Sequence, residues 1–284
     1  MSAPMTSRHV RRRLVNSLFV GACAIATLIA LGALVLILWS LVTQGIGGLD
    51  LKVFTMTQPA PGSEGGLSNA IVGSLLMCAG GMAIALVVGI LAGTWLAEYG
   101  GSKPYAQAVR FLNDVLLSAP SVLVGLFVYE ILVAPFHGFS GIAGAVALAM
   151  LAAPIVTRTT EDILTLQPAT LREAGMALGA SRAFVIRTII WKAARAGILT
   201  GGLLGFARIS GETAPLLFTS LGNQFQSFDM TQPMAALPTT IFQFALSAYD
   251  DWRRLAWVGA LLITAAVLLI NIVGRYLARE QHRP

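Results

Sequence analysis

The sequence predicts an all-α polytopic membrane protein with six transmembrane helices. Three observations carry that prediction. Apolar residues make up 56% of the 284 and charged residues only 11%, with mean hydropathy +0.76; a soluble domain carries about 25% charged residues and could not cover itself with water-compatible surface at this composition. Six apolar stretches, 17–42, 70–97, 109–133, 141–157, 195–218 and 255–277, are each long enough to cross about 30 Å of hydrocarbon, with 141–157 at the short limit. Basic residues fall at the ends of these stretches, in alternate loops.

The first stretch follows Arg11, Arg12 and Arg13. A secretory signal has an apolar core of only about 7–15 residues. The run from Ser17 to Val42 therefore reads as an uncleaved anchor. Orientation follows from the basic residues. Fifteen of the 19 Lys and Arg collect in the N-terminus, the 98–110 loop, the 158–195 segment and the C-terminus. The alternate loops hold Lys52, Arg253 and Arg254, so the positive-inside rule places both termini in the cytoplasm. The organisation expected is 1–64 as tail, anchor and outer loop, 65–278 as the transmembrane domain, and 279–284 as a cytoplasmic tail.

The net charge of +6 and pI near 9.8 do not point to nucleic acid, because the cations form no groove-sized patch with interleaved aromatics. Anionic lipid headgroups account for them better. Cys23 and Cys78 lie in apolar runs and read as small buried residues, and His9, His137 and His282 lack ligand spacing. No metal site or cofactor of this chain's own is expected. The Gly- and Pro-rich 43–69 loop reads as irregular structure. The 219–252 loop is too apolar for a bare connector and reads as a folded-back segment, serving as an interfacial aromatic belt or a docking surface for a partner.

The 158–195 segment has helical punctuation. Thr170 and Glu173 form a T-x-x-E capping box, predicting a helix from near Leu171. Leu171, Ala174 and Leu178 supply an apolar stripe, Gly179 a left-handed stop, and Ser181 the cap of the next helix. A helix of about two turns is too short to stand alone, so the stripe needs a partner. The competing reading is an amphipathic helix lying on lipid.

Residues 195–218 carry the most informative pattern. Gly197, Gly201, Gly205, Arg208 and Glu212 fall within an arc of roughly 80° at 100° per residue. Glycines at this spacing let helices approach closely. Arg208 lies about 20 Å along the helix from Arg195, past mid-membrane, where an arginine costs at least roughly 2.5–3.5 kcal/mol and needs compensation. Glu212 is the local partner, and a bare ion pair is the plain reading. The functional reading is that the guanidinium fork receives an oxyanion while Glu212 holds it and keeps the affinity low enough for release. A second stripe, Asp114, Ser118, Ser121 and Gly125, shares one face of 109–133, with Pro120 able to bend the helix. Asp114 and Glu130 read as interfacial rather than transporting residues.

Two of these segments resemble known signatures. Glu173-Ala174-Gly175, three residues, Gly179, nine residues and Ile189 match the E-A-A spacing of ABC importer permeases, although Trp191-Lys192 replaces that family's Leu-Pro. The run Ala207–Thr219, with Arg208-x-x-x-Glu212-Thr213-Ala214-Pro215, is similar to the A-type permease family of bacterial phosphate-specific ABC importers, and the likeness extends over roughly 65–278. The resemblance implies a type I ABC importer permease fold and a transport role without intrinsic catalysis. It also implies a homologous C-type permease, an ATPase dimer docking at 170–182 and holding ATP with Mg²⁺, and a periplasmic phosphate-binding protein. Arg208 and Glu212 carry over as translocation residues, and Glu173, Ala174, Gly175 and Gly179 as ATPase-coupling residues. No G-x-x-x-x-G-K-[ST] motif occurs, so ATP chemistry must come from another chain. Sulfate, molybdate or phosphonate would also suit an arginine. An ion-coupled secondary transporter relaying protons through Asp114, Glu130 and Glu212 is the other class.

Overall fold

The computed structural model describes residues 7–280, and all regular structure among them is helical. Residues 1–6 and 281–284, with His282 and Arg283 of the predicted tails, lie outside the described residues. Helix α1 (Ser7–Gly47) is followed by a single turn, α2 (Lys52–Thr55), and by α3 (Ser68–Trp95). A π-helical turn over Leu96–Gly100 extends α3. Next come α4 (Pro104–Ser118), α5 (Ser121–Val128) with a π-helical turn over Tyr129–Val133, and α6 (Gly141–Thr165). Two short helices, α7 (Ala169–Ala177) and α8 (Arg182–Val185), lead into α9 (Trp191–Ser210). The chain closes with α10 (Ala214–Thr219), α11 (Leu237–Ala245) and α12 (Asp250–Glu280).

The core forms where small residues remove the distance between helices. Gly81, Gly89 and Gly93 of α3 lie against α6, where an added Cβ at Gly89 would stand 2.7 Å from Val156. The glycine face of α9 covers an adjoining side of α6: Gly197 meets Ile163, Gly201 meets Thr159 and Gly205 meets Val156. Met77, Ala85, Leu148, Ala152, Ile209 and Leu216 fill the space between the three helices. In contrast α1 is almost wholly exposed, with 6% of its most apolar stretch buried; near its C-terminal end, Gly45 packs on Leu261 of α12. Cys23, expected to be buried, is exposed on that helix, where none of the described residues covers it; Cys78 is buried.

Against six predicted spans, four helices among the described residues are long and apolar enough to cross a membrane: Arg11–Gly47, Ser68–Gly100, Gly141–Thr165 and Asp250–Gly274. The pair Pro104–Ser118 and Ser121–Val133 makes a fifth if it counts as one span, bent by 105°. Pro120 does more than bend this segment. It separates two helices, so Asp114 and Ser118 no longer share a face with Ser121 and Gly125. The predicted fifth span, 195–218, is also interrupted. Pro215 lacks an N–H and its ring opposes the carbonyl of residue 211, which ends α9 at Ser210 before the short α10 begins. Conversely, α6 runs eight residues past the predicted 157. The Arg158–Asp162 pair one turn apart (3.3 Å) and the docking of Glu161 onto Arg110 (2.6 Å) support those charged turns.

At the end of the bundle holding the α6 N-terminus, the two long loops are tied together. Asn69, buried, accepts from the Gln58 amide (3.2 Å) and donates to the Asn223 carbonyl (2.6 Å), and Gln58 donates to Thr240 (2.6 Å). The 219–252 segment folds back as expected: Met234, Ala235, Ala236, Leu237 and Phe244 enter the core, with Trp252 stacked on Phe244. Phe225 and Phe228 remain exposed.

Candidate functional site

The predicted site residues occupy two places separated by the length of α9, about 30 Å for its 20 residues. At one end lies α7. It starts at Ala169 rather than near Leu171, with Pro168 preceding it. The capping box does not form: Thr170 sits inside the first turn, and no side chain caps the helix. Pro168, fixed at φ −55°, sets the chain on its helical course two residues early. The end of the helix follows expectation. Gly179 adopts φ +82°, and the Ser181 hydroxyl accepts from the Phe184 amide at 3.4 Å.

The expected apolar stripe divides between two faces. Leu171 turns inward to the cluster of Leu164, Val185 and Ile190. Gly175 is buried there because an added Cβ would stand 2.7 Å from Val185. Glu173, Ala174, Met176 and Leu178 face outward, Leu178 at 89% exposure. An acidic residue thus stands beside three uncovered apolar side chains at this helix.

At the far end of α9, Arg208 and Glu212 form an ion pair. The two are not on one continuous helix face, since α9 has ended before Glu212. Instead the turn over 211–213 brings the carboxylate back beneath the guanidinium. Glu212 is 7% exposed and Arg208 51%, so the anion is the fixed partner and the cation is presented outward. Beside this turn, α5 packs on α10 through Gly125 and Pro215. Asp114 lies elsewhere, on α4, 4.0 Å from Arg158, and Glu130 is exposed in the π-helical turn after α5.

The sequence over residues 85–283 matches the model of one family, the binding-protein-dependent transport system inner membrane component. The chain belongs to this family. The permease is 51% identical to the phosphate transport system permease protein PstA of Haemophilus influenzae over 97% of its own length and 98% of that protein's. It is 48% identical to the protein of the same name from Xylella fastidiosa (strain Temecula1), over 100% and 99%. It is 35% identical to the probable phosphate transport system permease protein PstA of Methanocaldococcus jannaschii, over 95% of each. Among solved structures, its fold is similar to that of the MetNI methionine ABC transporter in an inward-facing conformation, with TM-score 0.63 over 76% of the permease and 96% of that chain at 18% identity. The permease is thus a multi-pass inner-membrane transport subunit with the ABC importer permease fold.

Two further ion pairs in the permease escaped the sequence reading. Arg172 of α7 binds Glu98 in the turn after α3, and Arg110 of α4 binds Glu161 of α6 while donating to the carbonyls of Gly101 (2.8 Å) and Leu96 (3.3 Å). Both arginines count toward orientation, which hides their second use. The available signal was Glu98 itself, a lone carboxylate closing an apolar run, where an unpaired charge is costly.

Proposed function

We propose that this permease is the channel-forming subunit of an ATP-driven importer carrying inorganic phosphate inward across the cytoplasmic membrane. The observation that carries the site is Arg208, a guanidinium half open to its surroundings and held from behind by a buried carboxylate, next to a place where helical backbone stops. Irregular backbone at membrane depth is tolerated where it lines a water-filled cavity or lies within protein. A planar fork of donors suits a tetrahedral oxyanion, and Glu212 tempers its hold so that the anion departs. The names of relatives matching nearly the whole chain supply phosphate as that anion.

In this reading both termini and α7 face the cytoplasm. The outward side of α7, with Glu173, Ala174 and Leu178, seats one copy of an ATPase dimer that holds ATP and Mg²⁺. A homologous C-type permease covers the face bearing Arg208, and a periplasmic phosphate-binding protein delivers the anion to the loops 43–69 and 219–252. Closure of the ATPases moves α7, and the helices attached to it alternate the access of Arg208 from one side to the other.

The test is uptake of radiolabelled phosphate by the reconstituted assembly, with sulfate and molybdate as competitors. Arg208→Ala loses uptake while insertion and assembly persist; uptake retained in that variant refutes the role of Arg208. Uptake that follows a pH gradient with no ATPase present replaces this reading with ion-coupled transport.

A further inference from the structure

The joint between α7 and the membrane helices is built on one buried carboxylate. The Glu98 side chain is 2% exposed. Arg172 approaches it with two nitrogens, Nε at 3.0 and 3.1 Å from the two carboxylate oxygens and Nη2 at 2.6 Å from Oε1. The same guanidinium donates to the carbonyls of Leu164 (2.8 Å) and Gln167 (2.8 Å), at the end of α6 and in the link beyond it. Arg182, at the start of α8, donates to the backbone carbonyl of Glu98 and lies over the Tyr99 ring, 4.6 Å from its centroid. One arginine from α7 therefore grips α3 through its extension and α6 through its C-terminal carbonyls, while α8 holds the same turn from the other side.

We infer that Glu98 is a positioning residue for transport: it makes α7, α3 and α6 move as one body, so that displacement of α7 reaches the packed pair at the centre of the bundle. A fork held at both oxygens and by two carbonyls has no free rotation about a single bond, unlike a lone hydrogen bond. Leucine packing under α7 alone would let that helix roll. The inference rests on the reading that α7 docks the ATPase, and the two fail in different ways.

The experiment compares phosphate moved per ATP hydrolysed in the reconstituted complex for Glu98→Gln, Glu98→Asp and the double variant Glu98→Gln with Arg172→Gln. The double variant removes both charges and leaves neither buried alone, so it assembles where the single one does not. The expected result is an ATPase that still co-purifies and still hydrolyses ATP, with the transport ratio reduced at least tenfold in Glu98→Gln and in the double variant, and partly recovered in Glu98→Asp. A ratio equal to that of the unaltered protein in any assembled charge-removing variant overturns the inference. Hydrolysis and transport falling in parallel in all three variants overturns it too, since Glu98 then does no more than hold the fold. Failure of the parent reading shows elsewhere: a complex that keeps its ATPase when the outward residues Glu173 and Leu178 are both changed to arginine.

Discussion

Gly125 of α5 stands so close to Pro215 of α10 that a methyl group added to it would lie 2.7 Å from the Pro215 Cα. This contact joins the helix after the Pro120 break to the helix after the Gly211 turn, and Glu212 lies three residues from Pro215. Gly125→Val drives α10 away and carries Glu212 with it. Overpacking of this kind costs about 1–3 kcal/mol. Phosphate uptake is expected to fall at least tenfold, with a modest loss of thermal stability in detergent; unchanged uptake in an assembled protein would show that the separation of α5 and α10 does not matter.

The buried side of the Arg208–Glu212 pair predicts an asymmetry between its members. Glu212→Gln frees a guanidinium that the carboxylate had partly neutralised. Anion binding tightens and release slows, so uptake kinetics should show a lower KM together with a lower kcat. Arg208→Lys keeps the charge and loses the fork, and its KM should rise. Both variants shifting KM the same way would contradict the arrangement.

Glycine substitutions separate packing from propensity. Gly201→Val places a branched side chain where a Cβ alone would stand 2.8 Å from that of Thr159, and should destabilise the α6–α9 pair by about 1–3 kcal/mol. Gly21→Ala and Gly32→Ala in α1 meet nothing within 4 Å and should leave yield and transport unaltered, helix propensity favouring alanine by about 1 kcal/mol. Thermal unfolding of the purified variants checks both halves.

Gly179 adopts a left-handed backbone that a Cβ disfavours by about 1–2 kcal/mol. Gly179→Ala should re-angle α7 against α8 and reduce co-purification of the ATPase, with Gly179→Asn milder. Equal recovery of ATPase from both variants and the unaltered protein would remove Gly179 from the docking element.

Outside the membrane, Asp229 is held below the ordinary aspartate range by the Thr231 hydroxyl and amide that donate to it. A lowered folded pKa contributes stability that is present above the unfolded value, about 3.9, and is lost as pH falls through the folded one. Hydrogen exchange at the Thr231 amide should therefore be flat from neutral pH to about pH 5 once the intrinsic rate is removed. Protection should drop only in stronger acid, and Asp229→Asn should abolish the acid step.

Much of this was legible in the sequence because it depends on residues close together in it. The four-residue glycine repeat of α9, the left-handed Gly179 and the Ser181 cap are local geometry, and the structure places each as the spacing predicts. Two local readings yielded to a nearby proline. Pro168 pre-empted the Thr170 capping box, and Pro215 ended the helix that periodicity alone continued to 218. The α6 extension was misread because Arg158, Glu161 and Asp162 look like loop charges until Arg110, fifty-one residues earlier, is seen paired with one of them. The Glu98–Arg172 joint spans seventy-four residues, and no periodicity links its halves; only the cost of an unpaired carboxylate hinted that a cation had to exist.

The two interruptions, at 119–120 and 211–213, leave Pro120 and Gly211 exposed. Peptide groups outside a helix cannot be laid against fatty-acid tails without losing several kcal/mol each. Protein or water, rather than fatty-acid chains, is therefore expected against these two positions in the membrane.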